Sequence, residues 1–177
     1  MKIITSQIFE KHNEIIFGMS TKQKLVENDM YNFNMSLNVE DNSERVLGNR
    51  NLFVSKLGLS IKNIATQKQI HSDIIKTTNC GGNVGKSDAI ITSKKGIGIA
   101  ISTADCCAIY LYDKEKKIIA GIHFGWRSTE KQILKKTLQL LKDKFNCNSK
   151  NLIAYIAPSI SQKNYEIGSE VANKFQE

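Results

Sequence analysis

Residues 89–123 read AIITSKKGIGIAISTADCCAIYLYDKEKKIIAGIH, and the punctuation of this stretch decides the fold class. Apolar runs at 89–92, 97–102, 108–112 and 117–123 are rich in isoleucine and too short for ordinary helices, so they read as strands. Ser93-Lys94-Lys95-Gly96 and Asp113-Lys114-Glu115 supply the turns between them. Residues 97–101 and 118–122 are apolar at successive positions, which predicts central strands buried on both faces.

Moving outward, 61–66 and 74–77 add two more strand-like runs, with Gly81-Gly82 read as a turn. Short strands are also expected at 2–8 and 14–19, split by the polar segment 11–13. Asp41 and Glu44 have capping-box spacing and predict a helix that ends near Gly58. Thr129 and Gln132 repeat that pattern ahead of Ile133, Leu134, Thr137, Leu138, Leu141 and Phe145, one face of a second helix. A strand at 152–157 and a helix beginning at Glu170 complete the chain. Strands gathered in the middle with helices on the flanks predict an α+β fold of mixed β-sheets.

The 177 residues suit a single domain over 1–177, large enough to form a core without disulfides. Cys80, Cys106, Cys107 and Cys147 have no CxxC spacing, and no signal-peptide core or membrane-length apolar run is visible. A cytoplasmic protein is expected. The net charge of +8 comes from 22 lysines and only three arginines, Arg45, Arg50 and Arg127. The lysines are scattered, with no nucleic-acid-binding signature, so a solvated surface rather than a nucleic-acid partner is expected. Arginine's scarcity makes each one informative, since lysine does not replace a bidentate guanidinium.

Three histidines are present. His12 lies in a charged turn; His71, Cys106 and His123 all fall at or near predicted strand ends. Two imidazoles and a thiolate make a three-ligand set for zinc with an open fourth position. Yet the separations, 35 positions from 71 to 106 and 17 from 106 to 123, match no local zinc signature. From spacing alone, core histidines and a buried cysteine are the better reading.

The surrounding strings point further. Gln69-Ile70-His71, Ser87-Asp88-Ala89-Ile90-Ile91-Thr92, Thr103-Ala104-Asp105-Cys106 and His123-Phe124-Gly125-Trp126-Arg127 resemble, in order and spacing, motifs of the YfiH-like family. That family is also known as the multicopper polyphenol oxidase or laccase domain family. Asn34-Met35-Ser36-Leu37-Asn38, Asn49-Arg50, Ala157-Pro158-Ser159-Ile160 and Tyr165-Glu166-Ile167-Gly168 extend the resemblance over nearly the whole chain. It departs from the family pattern at Lys22 and Ser128, which replace an arginine and a glycine.

The resemblance implies an α+β fold related to the catalytic domain of cytotoxic necrotizing factors, shortened here at its C-terminus. It implies a zinc site on His71, Cys106 and His123, and action on purine nucleosides. The activities implied are phosphorolysis of adenosine, inosine, guanosine and S-methyl-5′-thioadenosine, and deamination of adenosine. Three histidines cannot build a trinuclear copper cluster in one chain, so zinc is expected over copper and polyphenol oxidation is set aside.

For phosphorolysis, Arg127 and Arg50 are the expected contacts to inorganic phosphate, with Lys22 as a point charge. Asp105 is expected to orient a ligand histidine or to act as acid–base group, with turn capping as its rival. Gln69 is read as a contact for the base. For Trp126, burial is favoured over stacking on a purine. Two other readings stay open: a hydrolase editing peptidoglycan precursors with Cys106 as a metal-free nucleophile, and a non-enzymatic basic binding protein.

Overall fold

The computed structural model describes residues 2–22, 30–37 and 39–175. The chain divides into two compact units, 1–63 and 64–177.

In the first unit the N-terminal strands are much shorter than expected. β1 (Ile3–Ile4) pairs antiparallel with β2 (Met19–Ser20). Between them, the Ser6 side chain accepts the Phe9 N–H and starts the short helix α1 (Gln7–Glu10). Phe9 is thereby buried 5.6 Å from the Phe17 ring, a contact that alternating strand geometry would not provide. The next helix, α2 (Ser43–Lys56), is capped by Asn42 rather than Asp41. Asn42 accepts the Arg45 N–H at 2.9 Å. Asp41 is drawn away by the Asn42 N–H, the Asn34 amide and the Arg45 guanidinium.

The second unit contains β3 (Ile64–Lys68), β4 (Ile75–Thr77), β5 (Gly82–Lys86), β6 (Ala89–Thr92), β7 (Gly98–Ile99), β8 (Cys107–Asp113) and β9 (Ile118–Phe124). They are followed by α3 (Trp126–Glu130), α4 (Ile133–Phe145), β10 (Leu152–Ile156) and α5 (Ser169–Ala172). The five-stranded sheet runs β10-β8-β9-β6-β4, antiparallel except for the β4–β6 pair. A three-stranded sheet, β5-β3-β7, is parallel. This is the α+β arrangement of mixed sheets and helices that the strand pattern implied. No helix among the described residues is long and apolar enough to cross a membrane.

Period-two alternation along β9 builds the core and aims the site. Ile118, Ala120 and Ile122 pack with Ala89, Ile91, Ile109 and Leu111 against Ile133 and Leu141 of α4. Ile119, Gly121 and His123 therefore fall on the opposite face. The 97–102 run is no central strand: only Gly98 and Ile99 pair, on one edge of the small sheet. Its isoleucines instead close over Gly121, where an added Cβ would lie 2.8 Å from Ile99 Cγ2 and 3.0 Å from Ile101 Cγ1. A segment packed across a sheet is apolar for the same reason a central strand is, and the two look alike in sequence.

The second capping box is not used. Thr129 lies inside α3, where its hydroxyl bonds the Gly125 carbonyl, and left-handed Gln132 (φ 59°) separates α3 from α4. The predicted turn at Gly81-Gly82 is half wrong, since Gly82 opens β5.

Gly121→Ala is expected to destabilise the protein by about 1–3 kcal/mol through overpacking. Gly48→Ala, in the exposed interior of α2 with nothing within 4 Å of the new Cβ, should stabilise it by roughly 0.5–1 kcal/mol. Urea denaturation of both variants checks the contrast.

Candidate metal centre

His123 reaches the site through strand parity, and its ring is fixed by a residue just ahead of the neighbouring strand. Asp88 precedes β6, and its carbonyl accepts the His123 N–H at 2.7 Å, prolonging the β6–β9 ladder. The Asp88 side chain is fully buried. Its Oδ1 lies 2.9 Å from His123 Nδ1. Burial alone would raise the Asp88 carboxyl. Hydrogen bonds from His123, the Ser72 hydroxyl and the Ser72 and Ile70 N–H groups outweigh it and hold the carboxyl down at about 2. An ionised carboxylate only accepts hydrogen bonds, so the His123 proton facing it sits on Nδ1, and Nε2 is the nitrogen left to face a metal.

The same carboxylate shapes the loop bearing His71. Oδ1 accepts the His71 N–H at 3.0 Å, while Oδ2 accepts the Ser72 N–H and hydroxyl, each at 2.6 Å, and the Ile70 N–H at 3.3 Å. Three successive N–H groups converging on an anion form a backbone nest. The nest accounts for the left-handed backbone of His71 (φ 56°), unusual for a side chain of this size. Burial, with the nearby His123 and Arg127, lowers the His71 pKa against the opposing pull of Asp88. The neutral ring, the form that binds a metal, is thereby favoured.

Cys106 immediately precedes β8. Gln69 ties its loop to that of His71: the Gln69 amide donates to the Ser102 carbonyl at 2.7 Å and accepts the Ser102 N–H at 2.8 Å. The Asp105 carbonyl accepts the Ile160 N–H at 3.0 Å. Ligand atoms of His71, Cys106 and His123 then lie within 4.8 Å of one another, and the two imidazoles meet edge to face at 4.7 Å. His123 is buried, while the other two keep partial solvent access. Gly125 borders the cluster in ordinary extended backbone (φ −89°, ψ 168°). A Cβ there would lie 3.0 Å from His71 Nδ1 and 3.1 Å from Cys106 Sγ, so space rather than backbone freedom selects glycine.

Two nitrogens and one sulfur on separate segments fit a single borderline dication with an open position. Burial, then the charges of Asp105 and Asp88, push the Cys106 pKa up, and a bound cation would supply the missing positive charge.

Of the other predicted residues, Arg127 is exposed, its guanidinium stacked 4.0 Å over the Trp126 ring. Asp105 and Lys22 are exposed. Arg50 lies on α2 in the first unit and donates from Nε to the Met35 carbonyl at 2.7 Å. Gln69 is engaged by the Ser102 backbone, as above. The residue without a predicted role is Asp88. Its signal was a lone carboxylate directly ahead of the apolar strand Ala89–Thr92, where ionised groups are rarely buried unpartnered.

Comparison with known proteins gives consistent similarities. A family model described as multi-copper polyphenol oxidoreductase laccase matches residues 16–177. A purine nucleoside phosphorylase of Clostridium acetobutylicum is 34% identical over 143 residues, covering 81% of this chain and 58% of that protein. One from Bacteroides thetaiotaomicron is 43% identical over 89 residues, 50% of this chain and 33% of its own length. Among solved structures, YlmD of Geobacillus stearothermophilus superposes with TM-score 0.78 at 23% identity, covering 81% of this chain and 57% of that one. Bacillus licheniformis YfiH gives 0.79 at 23%, covering 84% and 59%. These two likenesses bear on the fold. The chain thus spans little more than half the length of most of these proteins.

If the cluster holds a metal ion, Gly125→Ala is expected to weaken its binding at least roughly tenfold by crowding His71 and Cys106, the size of effect seen when ligand support is disturbed. Denaturation should change little. Chelator competition and a urea titration on the same preparation check both.

Proposed function

The chain belongs to the multi-copper polyphenol oxidoreductase laccase family, and on that premise we propose that it is a zinc-dependent purine nucleoside phosphorylase. Its substrates would be adenosine, inosine, guanosine and S-methyl-5′-thioadenosine, with adenosine deamination as a second use of the same site. The observation that carries the reading is the convergence of His71, Cys106 and His123 on one point. The names of the curated relatives support the choice of substrate class.

In this reading His71, Cys106 and His123 hold the zinc ion. When bound, it supplies Lewis-acid stabilisation of charge at a reacting oxygen. Arg127 holds inorganic phosphate, its planar fork pre-set by stacking on Trp126. A phosphate oxygen bonds to C1′, the bond from C1′ to the purine nitrogen breaks, and its electron pair leaves with the base. Asp105, exposed beside Cys106, takes up and returns a proton when water replaces the amino group of adenosine. Arg50 and Lys22 are further phosphate contacts in the proposal, and Gln69 acts by tying the two ligand loops together.

A metal-free cysteine nucleophile, as a peptidoglycan-editing hydrolase would need, is disfavoured. Burial and two neighbouring carboxylates keep the Cys106 thiol protonated, whereas a reactive cysteine sits beside positive charge. A multicopper oxidase is disfavoured as well: among the described residues one cluster of three candidate ligands is present, two of them histidines. The four cysteines are all free, which supports a reducing compartment such as the cytoplasm.

Incubation of the zinc-loaded protein with adenosine and phosphate should release adenine and ribose 1-phosphate, and inosine should form when phosphate is omitted. His71→Ala and Cys106→Ala should each lower kcat/KM by more than roughly 100-fold, beyond what loss of a supporting residue costs. Absence of every one of these products from zinc-loaded protein would contradict the proposal.

A further inference from the structure

We propose that Asp88 is the positioning residue of this centre: its Oδ1 fixes the ring of His123 and the backbone of His71 together, so that the two imidazoles are arranged as one unit. The inference rests on the three-ligand metal reading above and goes beyond it, because it assigns the source of the geometry to a residue that binds no metal.

The atoms define the coupling. Oδ1 receives His123 Nδ1 at 2.9 Å and the His71 N–H at 3.0 Å. Oδ2 receives Ser72 twice and Ile70 once, anchoring the nest that holds His71 in its left-handed conformation. A carboxylate has about four lone-pair sites on two oxygens, and here every approach is taken. Outer partners of metal-binding histidines set both tautomer and ring orientation. What is unusual here is that one outer partner serves two ligands by two routes, one through a ring and one through the backbone.

An asparagine at 88 cannot reproduce this. With its oxygen toward His71 and His123, its NH2 group meets the N–H groups of Ser72 and Ile70, donor against donor, and the nest opens. Turned the other way, the NH2 group faces His123, which must then move its proton to Nε2 to accept. That shift removes the nitrogen that would bind the metal. Both arrangements cost affinity, through different ligands. By linkage, metal binding must in turn tighten the 70–72 loop.

Nitrogen-15 NMR and amide exchange test this in protein with and without zinc. In the metal-free wild type at pH 8, His123 should carry a proton on Nδ1, and the amides of Ile70, His71 and Ser72 should exchange slowly, more slowly still with zinc. Asp88→Asn should lose that protection or shift the His123 tautomer, and its zinc affinity by chelator competition should fall roughly 10- to 100-fold. A merely structural residue would leave the tautomer unmoved. Wild-type affinity in Asp88→Asn, or a His123 that lacks its Nδ1 proton in the wild type, overturns the proposal; the second readout needs no folded variant. Wild-type protein that binds no zinc yet shows the expected tautomer and protected amides overturns the metal reading and leaves the positioning role standing.

Discussion

The Asp88 carboxylate is buried away from water, and its charge is balanced by hydrogen bonds from an imidazole, a hydroxyl and three successive backbone N–H groups. A buried charge is tolerated only when its acceptor sites are filled. That requirement propagates outward. The 70–72 loop must curl into a nest, His71 must take a left-handed backbone, and β9 must end where His123 can reach across to the residue ahead of β6. The β6–β9 register, Ala89 opposite Ile122, sets that reach. The three candidate ligands are therefore built from the sheet outward, with the carboxylate as the joint between strand and loop.

The remaining parts hold the third ligand in range. Gln69 binds the Ser102 backbone at both ends of its amide, which brings the loop before Cys106 to the loop of His71. Gly125 leaves the room that both side chains occupy. On the far face of β9, Ile118, Ala120 and Ile122 pack against α4, so core and site share one strand and are separated by its pleat. A shift of one residue in β9 would exchange them.

Much of this was legible in the sequence, for identifiable reasons. Residues 118–122 and 89–92 read as strands because β-branched runs bounded by polar turns leave few alternatives, and α4 declared itself through its apolar face. The failures have separate causes. Ile99 and Ile101 are half-buried by packing over Gly121 of β9 rather than as part of a central strand, and periodicity does not distinguish those contexts. Asn42 won the α2 cap from Asp41 through local side-chain competition, which moves a helix start by one residue, while the Ser6 cap turns part of an expected strand into a short helix. The ligand trio was invisible to spacing because its members meet only through the ladder and a nest. The surrounding motif strings, rather than any local metal pattern, pointed to them. Asp88 escaped notice because its partners are mostly backbone groups, which leave no mark in sequence.

The central claim is that two imidazoles and one thiolate, ordered by a single carboxylate, form one metal site. X-ray absorption at the zinc edge of the reconstituted protein tests it most directly. The account predicts one sulfur at about 2.3 Å together with imidazole nitrogens at about 2.0–2.1 Å. A spectrum fitted by nitrogen and oxygen alone, with no sulfur scatterer, would contradict it.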